Sequence, residues 1–293
     1  MARLEILKTY KIYIGGQFPR TESGRFYTPT DSKGNPLANV CLSSRKDFRN
    51  AVVAARKAFG SWSERAAFNR GQIIYRIAEM LEGRRAQFEE EIIKQGKSAK
   101  EAKQEVDLSI DRLVYYTGWC DKYQQVFSAV NPVASSHFNF SVLEPTGVVA
   151  VIAPQDSSLI GLVSTIIPII TGGNTVVVLA SEKLPLCAIT FAEVLNSSDV
   201  PAGIINILTG QESELLSHMG SHKDVNAILY ASDHKENYFK LKKLASESVK
   251  RVYRTELNFM DESAENPFLI TDFQEVKTTW HPIENIGGSS SNY

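Results

Sequence analysis

Four residue sets in this chain have types and spacings that could do chemistry. Cys41, Cys120 and Cys187 carry thiols, and a thiolate is both a nucleophile and a metal ligand. They are far apart, odd in number and outside any C-x-x-C spacing, which argues against a disulfide framework and against a zinc site. Cys187 opens an apolar helix that should pack on a sheet, so these cysteines read as structural thiols. His218 and His222 share one helical face, as metal ligands can, yet no third ligand of suitable spacing accompanies them, and a solvated helix end is the simpler reading. Lys240, Lys242 and Lys243 suggest an anion site, but Glu236 and Glu247 interrupt the run, which reads as the exposed face of an amphipathic helix. The Gly172-Gly173-Asn174 turn joins a helix to a strand, the wrong end of a parallel sheet for ligand binding, and reads as a helix stop.

These groups must be positioned by elements that the hydrophobic pattern outlines. Residues Tyr10 to Gly16 alternate as a strand, turn signals at Pro19, Gly24, Pro29, Gly34 and Pro36 follow, and a second short strand is predicted at Leu37 to Leu42. Asp47 to Phe59, Ala66 to Gln95 and Ala99 to Phe127 have apolar residues at three-to-four spacing and are predicted helices. Phe138 to Leu143 and Val148 to Ile152 flank Glu144-Pro145-Thr146-Gly147, a turn sequence. They are predicted to form a hairpin with one strand projecting and the other buried in a sheet.

From Val148 onward strands and helices alternate. Strands are predicted at Val148 to Ile152, Thr175 to Leu179, Ile204 to Leu208, Val225 to Tyr230 and Arg251 to Thr255. Helices are predicted between them at Ser157 to Ile170, Leu184 to Asn196, Glu212 to Met219 and Lys235 to Glu247. The pattern predicts an α/β fold, a Rossmann-like parallel sheet with helices on both faces and ligands at the carboxyl ends of its strands. Phe268 to Thr271 looks like one more strand, and the Gly- and Ser-rich end reads as flexible.

Glu144-Pro145-Thr146-Gly147-Val148-Val149, Ile152-Ala153-Pro154, Gly173-Asn174-Thr175-Val176-Val177 and Val200-Pro201-Ala202-Gly203-Ile204-Ile205-Asn206 occur in the order found in the cofactor half of the aldehyde dehydrogenase superfamily. Tyr13-Ile14-Gly15-Gly16-Gln17-Phe18 and Tyr115-Tyr116-Thr117-Gly118-Trp119-Cys120-Asp121-Lys122 are similar to the family's first strand and to the helix before its hairpin. The resemblance covers about Tyr10 to Ile270, and implies a half-length, degenerate member that resembles the inactive second module of two-module aldehyde dehydrogenases, its catalytic domain missing.

What the resemblance implies about chemistry lies in the departures from it. The family's oxyanion Asn is matched by Asp156, whose carboxylate accepts hydrogen bonds only and would repel developing negative charge. The family's ribose-binding Lys and Glu correspond to Leu179 and Glu182, so Glu182 alone survives as a cofactor-binding candidate. Asp233 stands at the small-residue turn near the pyrophosphate and is expected to cap a helix. Glu256 matches the general-base position, but the glycines after it are replaced by Asn258, Phe259 and Met260. The nucleophilic Cys of the family lies beyond that Glu, and no cysteine follows Cys187 here.

Lys+Arg 32 against Asp+Glu 33 leaves a net charge of -1, no electrostatic footprint for nucleic acid or an anionic membrane. The apolar stretch Leu159 to Ile170 is too short to span a bilayer and contains Pro168. No secretory signal opens the chain, and a cytoplasmic location is expected. The expected organisation is N-terminal strands and helices over 1–130, an oligomerisation hairpin over 131–152, a Rossmann-like core over 153–271 and a flexible tail over 272–293. The functional expectation is a pseudoenzyme without catalytic residues, metal or bound cofactor. It would pair through the 138–152 hairpin with a full-length aldehyde dehydrogenase or with itself. The alternatives are an NAD(P)-dependent oxidoreductase with residual activity and a nucleotide-binding sensor, for which NAD is the cofactor.

Overall fold

The computed structural model describes residues 6–283. Three short strands, β1 (Thr9–Tyr10), β2 (Phe26–Tyr27) and β3 (Asn39–Cys41), form a small sheet in the order β1-β3-β2. The chain then builds helices α1 (Arg45–Ser63), α2 (Ala67–Gly83), α3 (Arg85–Lys94), α4 (Ala99–Trp119) and α5 (Tyr123–Phe127). Ser44 and Ser98 start α1 and α4 with reciprocal capping boxes that use Asp47 and Glu101, satisfying N–H groups the first helical turn leaves free. The single helix expected over Ala66 to Gln95 is two, because the first ends at Gly83 and the second restarts after Arg84. The helix expected to run to Phe127 stops at Trp119.

The centre of the molecule is the predicted alternation: β6 (Val148–Ile152), α6 (Ile160–Thr171), β7 (Thr175–Leu179), α7 (Leu186–Asn196), β8 (Ile205–Leu208), α8 (Glu212–Ser221), β9 (Ala227–Tyr230), α9 (Lys235–Ala245) and β10 (Arg251–Arg254). The strands form one parallel sheet in the order β10-β9-β6-β7-β8. Every residue of β6 and β7 is buried, as expected of strands covered on both faces. Val149, Val151, Val176 and Val178 pack into one apolar cluster with α2, α4, α6 and α7. Val148, Ala150, Ile152 and Val177 pack into a second cluster with α1 and α8 on the opposite face. Val149 and Val151 point one way and Val148, Ala150 and Ile152 the other, which is the period-2 geometry of a strand.

The motif residues hold this sheet together. Asn174 is fully buried, its Oδ1 accepts from Gly147 N at 2.9 Å, and its amide donates to Phe273 O at 2.9 Å. Asn206, also fully buried, accepts from Gly15 N at 2.9 Å and donates to Gly203 O at 2.8 Å. Gly147 has φ +134, and a Cβ there would stand 2.3 Å from Asn226 Oδ1, so only glycine passes.

Gly147 bends the chain rather than closing a hairpin. The segments on either side of it, β5 (His137–Pro145) and β6, do not pair; β5 lies between β4 (Ala129–Asn131) and β11 (Gln274–Pro282) in a separate antiparallel sheet. The hairpin expectation is corrected in that respect, although one strand does project while the other enters the main sheet. The expected tail beginning at 272 is corrected too, since Gln274–Pro282 is the nine-residue β11. Phe268–Thr271, expected as a strand, is the helical turn α10: Asn266 Oδ1 accepts from Phe268 N at 2.8 Å, and Pro267, φ -68, starts the turn. The Gly- and Ser-rich stretch 287–293 lies outside the described residues.

Glu91 ties the N-terminal segment to the helical layer. Its Oε1 accepts from Tyr10 Oη at 2.6 Å and from Thr190 Oγ1 at 2.8 Å, while burial raises its carboxyl above the ordinary 4.5 against the lowering effect of those hydroxyls. The folded state therefore holds this proton more tightly than the unfolded chain. That contribution to stability is present below the ordinary value and is lost as pH rises through the folded value. Glu91→Gln is expected to flatten the decline in urea midpoint as pH rises through the weakly acidic range; equal slopes for both proteins would contradict the assignment.

Candidate functional site

In the order β8-β7-β6-β9-β10 the connections run outward in one direction from β6 and in the other from β9, so the topological switch point lies between these two strands. The segments that leave their carboxyl ends, Ala153 to Asp156 and Ala231 to Asp233, flank the crevice where such a sheet places its ligand. A cleft of about 300 Å³ opens there, lined among others by Gln155, Asp156, Asp233, Arg254, Glu256 and Asn258. The fold brings Asp156 and Glu256 to this one cleft. Glu182 lies beside it, half-buried, in a neighbouring cleft with Gln155, Lys183, Glu212, His234 and Asn237.

Glu256 is a surface carboxylate, 66% exposed, and pairs with Arg254. None of the three cysteines lines this cleft. Cys41, Cys120 and Cys187 are all buried and unbridged. Burial pushes the Cys120 thiol up to about 12 and the Cys187 thiol well above the usual thiol range, the reverse of what an attacking thiolate needs. Asp156 is exposed at the cleft mouth. With Asp233 and Glu256 it faces a single guanidinium, Arg254, that is already paired, so the cleft offers a phosphate more repulsion than attraction.

Helix N-termini are the usual anion sites of such folds, and the one under this crevice is already occupied. Glu105, 3% exposed, projects from α4 and its Oε1 accepts from the backbone N–H of Ser158, Leu159 and Ile160 at 2.9, 2.7 and 3.2 Å. The internal carboxylate takes the donors at the start of α6 that an oxyanion or phosphate would otherwise use. At α9, the expected cap does not form: Asp233 is exposed, α9 begins after His234, and no side chain caps it.

The segment after β10 lines the crevice from the other side. Phe259 is buried and packs with Ile160, Ala231 and Ala264, flanked by Leu108, Leu257 and Met260. Arg112 holds this segment from below. Its guanidinium is fully buried and donates to Ala264 O at 2.8 Å, Ser164 Oγ at 3.2 Å and Phe259 O at 3.4 Å, with Glu265 3.5 Å away. Beneath Phe259 a space of about 170 Å³ remains, lined in part by Lys97, Glu101, Glu105 and Asp156.

Sequence reasoning did not single out Glu105, Arg112 or the packing of Phe259. A signal existed, because Glu105 and Arg112 stand seven residues apart on the face of α4 that also carries Val106, Ser109, Leu113 and Tyr116. Two charges on a core-facing stripe need partners.

His218 and His222 end α8, with His222 N donating to His218 O at 3.1 Å and the His222 ring edge-on to Phe48. Among the described residues no group of three or more His, Cys, Asp or Glu side chains is placed to hold a metal ion, and no helix is long and apolar enough to cross a membrane.

The sequence profile of the aldehyde dehydrogenase family matches residues 11–272. The chain is similar to the cytosolic 10-formyltetrahydrofolate dehydrogenase of Mus musculus, 31% identical over 258 residues, covering 85% of this chain and 28% of that protein. It is similar also to the D-glyceraldehyde dehydrogenase (NADP(+)) of Thermoplasma acidophilum, 33% identical over 222 residues, covering 74% of this chain and 44% of that protein. Among solved structures, an indole-3-acetaldehyde dehydrogenase in its apo form superposes with a TM-score of 0.79 at 27% identity, over 86% of this chain and 58% of that one. An NAD+ complex of an aldehyde dehydrogenase from Bacillus cereus shares the fold, with a TM-score of 0.80 at 24% identity, over 84% of this chain and 50% of that one. The chain spans half or less of the length of the curated relatives it matches.

Proposed function

The chain belongs to the aldehyde dehydrogenase family, and from that premise we propose that it is a catalytically silent module of the family that assembles with a catalytically complete relative and serves it structurally or as a regulator. The observation that carries this reading is the state of the switch-point crevice: Phe259 packs against Ile160 and Ala231 beside it, Glu105 takes the N–H groups beneath it, and Asp156 and Asp233 make its mouth acidic. Hydride transfer from an aldehyde adduct requires a thiolate, an oxyanion donor and room for a flat nicotinamide ring. The three thiols of this chain are buried, Asp156 is an acceptor, and the position after Glu256 is built of bulky side chains. These features support a loss of chemistry with retention of the scaffold.

The projecting arm β4-β5-β11 supplies the surface for assembly. Phe138, Val130, Val276 and Trp280 are all exposed on it, and an arm with apolar residues in water calls for a partner. Glu182 keeps the one carboxylate suited to a ribose, but the acidic surroundings on the phosphate side oppose a dinucleotide.

The test is recovery of the tagged chain from its native cells, with mass identification of what accompanies it and an aldehyde oxidation assay on the eluate. Co-recovery of an aldehyde dehydrogenase subunit with its own exposed cysteine, at comparable stoichiometry, is the expected result. Recovery without any subunit of this family would defeat the reading.

A further inference from the structure

The solvent face of α1 begins with positive charge that the surrounding carboxylates do not neutralise. Arg45, Lys46 and Arg49 are exposed there and line a cleft of about 270 Å³ with Ser44 and Glu22. The acids nearby are already engaged. Glu22 accepts from Ser44 Oγ at 3.0 Å and pairs with Lys46 at 3.4 Å, Asp47 holds Thr21 Oγ1 and the Ser44 N–H, and Glu214 takes Arg25 through both its oxygens. Among the described residues Arg45 and Arg49 have no ion-pair partner. The first N–H groups of α1 are taken by Ser44, so the charge of this cleft is that of side chains.

Across from α1, α8 ends in two imidazoles spaced as the guanidiniums are. Residues four apart on a helix share a face and lie about 6 Å apart along the axis, so each pair spans one turn. Burial, then the charge of Arg45, holds the half-buried His218 ring below its ordinary 6.5. Burial lowers His222 as well; Asp224 opposes it, while Lys250 and Arg49 add to it. Arg45 therefore stands near His218 and Arg49 near His222, as two cationic rungs. The second rung is fixed in place. His222 Nδ1 accepts from Asp224 N at 3.3 Å, and its ring is edge-on to Phe48 with centroids 5.8 Å apart. Lys250, 8% exposed, brings an ammonium that donates to His222 O at 2.7 Å and that burial lowers to about 8.

We propose that these two rungs bind a small polyanion with two dianionic phosphoryl ends, one end on Arg45 and His218 and the other on Arg49 and His222. A guanidinium fork matches phosphate geometry, and cations held together without counter-charges gain from an anion placed between them. The ends of the patch set the size of the ligand. Glu22 stands beside Lys46 at one end and Asp224 beside His222 at the other, next to the exposed Lys223, so a long polyanion would run past a carboxylate in either direction. The pyrophosphate of a dinucleotide is esterified on both sides and offers neither rung a dianion. His222 lies just before β9, at the opposite end of that strand from the crevice, so the site stands apart from the loss of chemistry there.

Both imidazoles are neutral in the free protein at about pH 7.5, and an anion between them favours their charged forms, so binding takes up protons. Calorimetry of the full chain with inorganic tripolyphosphate at that pH and low ionic strength, in two buffers of different ionisation heat, reads affinity and proton uptake together. One site with a Kd below about 100 μM is expected. Arg49→Gln, at an exposed position, should weaken it about tenfold and leave the melting temperature unchanged. The double variant His218→Gln, His222→Gln should lose the proton uptake; if it does not fold, the Arg49→Gln comparison still decides. The absence of saturable heat, or an affinity unchanged in Arg49→Gln, would overturn the site. A single-stranded RNA that displaces tripolyphosphate with the salt dependence of many phosphate contacts would overturn the assignment to a small ligand. None of these outcomes touches the crevice, so the recovery experiment on the proposed function succeeds or fails separately.

Discussion

Arg112→Ala is expected to lower stability by about 3–5 kcal/mol, the range seen when one member of a buried charged network is removed. The side chain is fully buried, bridges α4 to the segment 256–266, and donates to two main-chain carbonyls that no other group would serve. Its loss leaves Ala264 O and Phe259 O without their donor, strands Glu265, and opens a void the size of a guanidinium and its stem. The urea midpoint should fall with little change in the slope of the transition, and amides between 256 and 266 should exchange far faster than the rest of the protein. Arg112→Lys should recover little, because an ammonium cannot reach Ser164, Phe259 and Ala264 with one planar fork. A loss below about 1 kcal/mol would mean that the segment is held by Phe259 packing alone.

Glu105→Ala should have the next largest effect, about 3 kcal/mol, from three charge-assisted hydrogen bonds at the start of the central helix α6. That helix is buried along its whole length, so N–H groups freed at its first turn do not gain water easily. Glu105→Gln keeps a carbonyl acceptor in place and should recover about half the loss. Denaturant unfolding of the three proteins side by side measures both effects. A destabilisation by Gln as large as by Ala would show that charge, rather than the acceptor, sets the cap. The pair of predictions bears on function, because Arg112 holds the segment at Phe259 and Glu105 the start of α6, both beside the crevice.

Much of the fold was legible because its signals are local. Continuous apolar runs at Val148–Ile152 and Thr175–Leu179, separated by helical spacing, can only be strands of a sheet covered on both sides, and the structure places them so. The arm was half legible. Alternation in β5 marked a projecting strand, but its partner β11 lies more than a hundred residues away, and Glu275, Lys277 and His281 gave it the look of a polar tail. Pairing across such a distance leaves no local trace. Phe268–Thr271 looked like a strand because four apolar or β-branched residues carry no period, and the turn chemistry of Asn266-Pro267 decided it.

At the site, Asp156, Glu182 and Glu256 were readable from motif position, and they lie in two neighbouring clefts. The packing of Phe259 against Ile160 and Ala231 was hidden, since it is a fact of tertiary structure. Glu105 and Arg112 were readable only as charges on an apolar stripe of α4, and a single sequence does not say which groups they meet.

The most direct test of a silent cofactor end is a calorimetric titration of the purified chain with NAD and with NADP, followed by addition of a panel of aldehydes while reduced cofactor is monitored at 340 nm. The bulky segment at Phe259, the occupied α6 terminus and the acidic mouth predict no saturable heat up to about 1 mM nucleotide and no reduced cofactor. One saturable site in the micromolar range, with reduced cofactor formed from any aldehyde, would contradict the account.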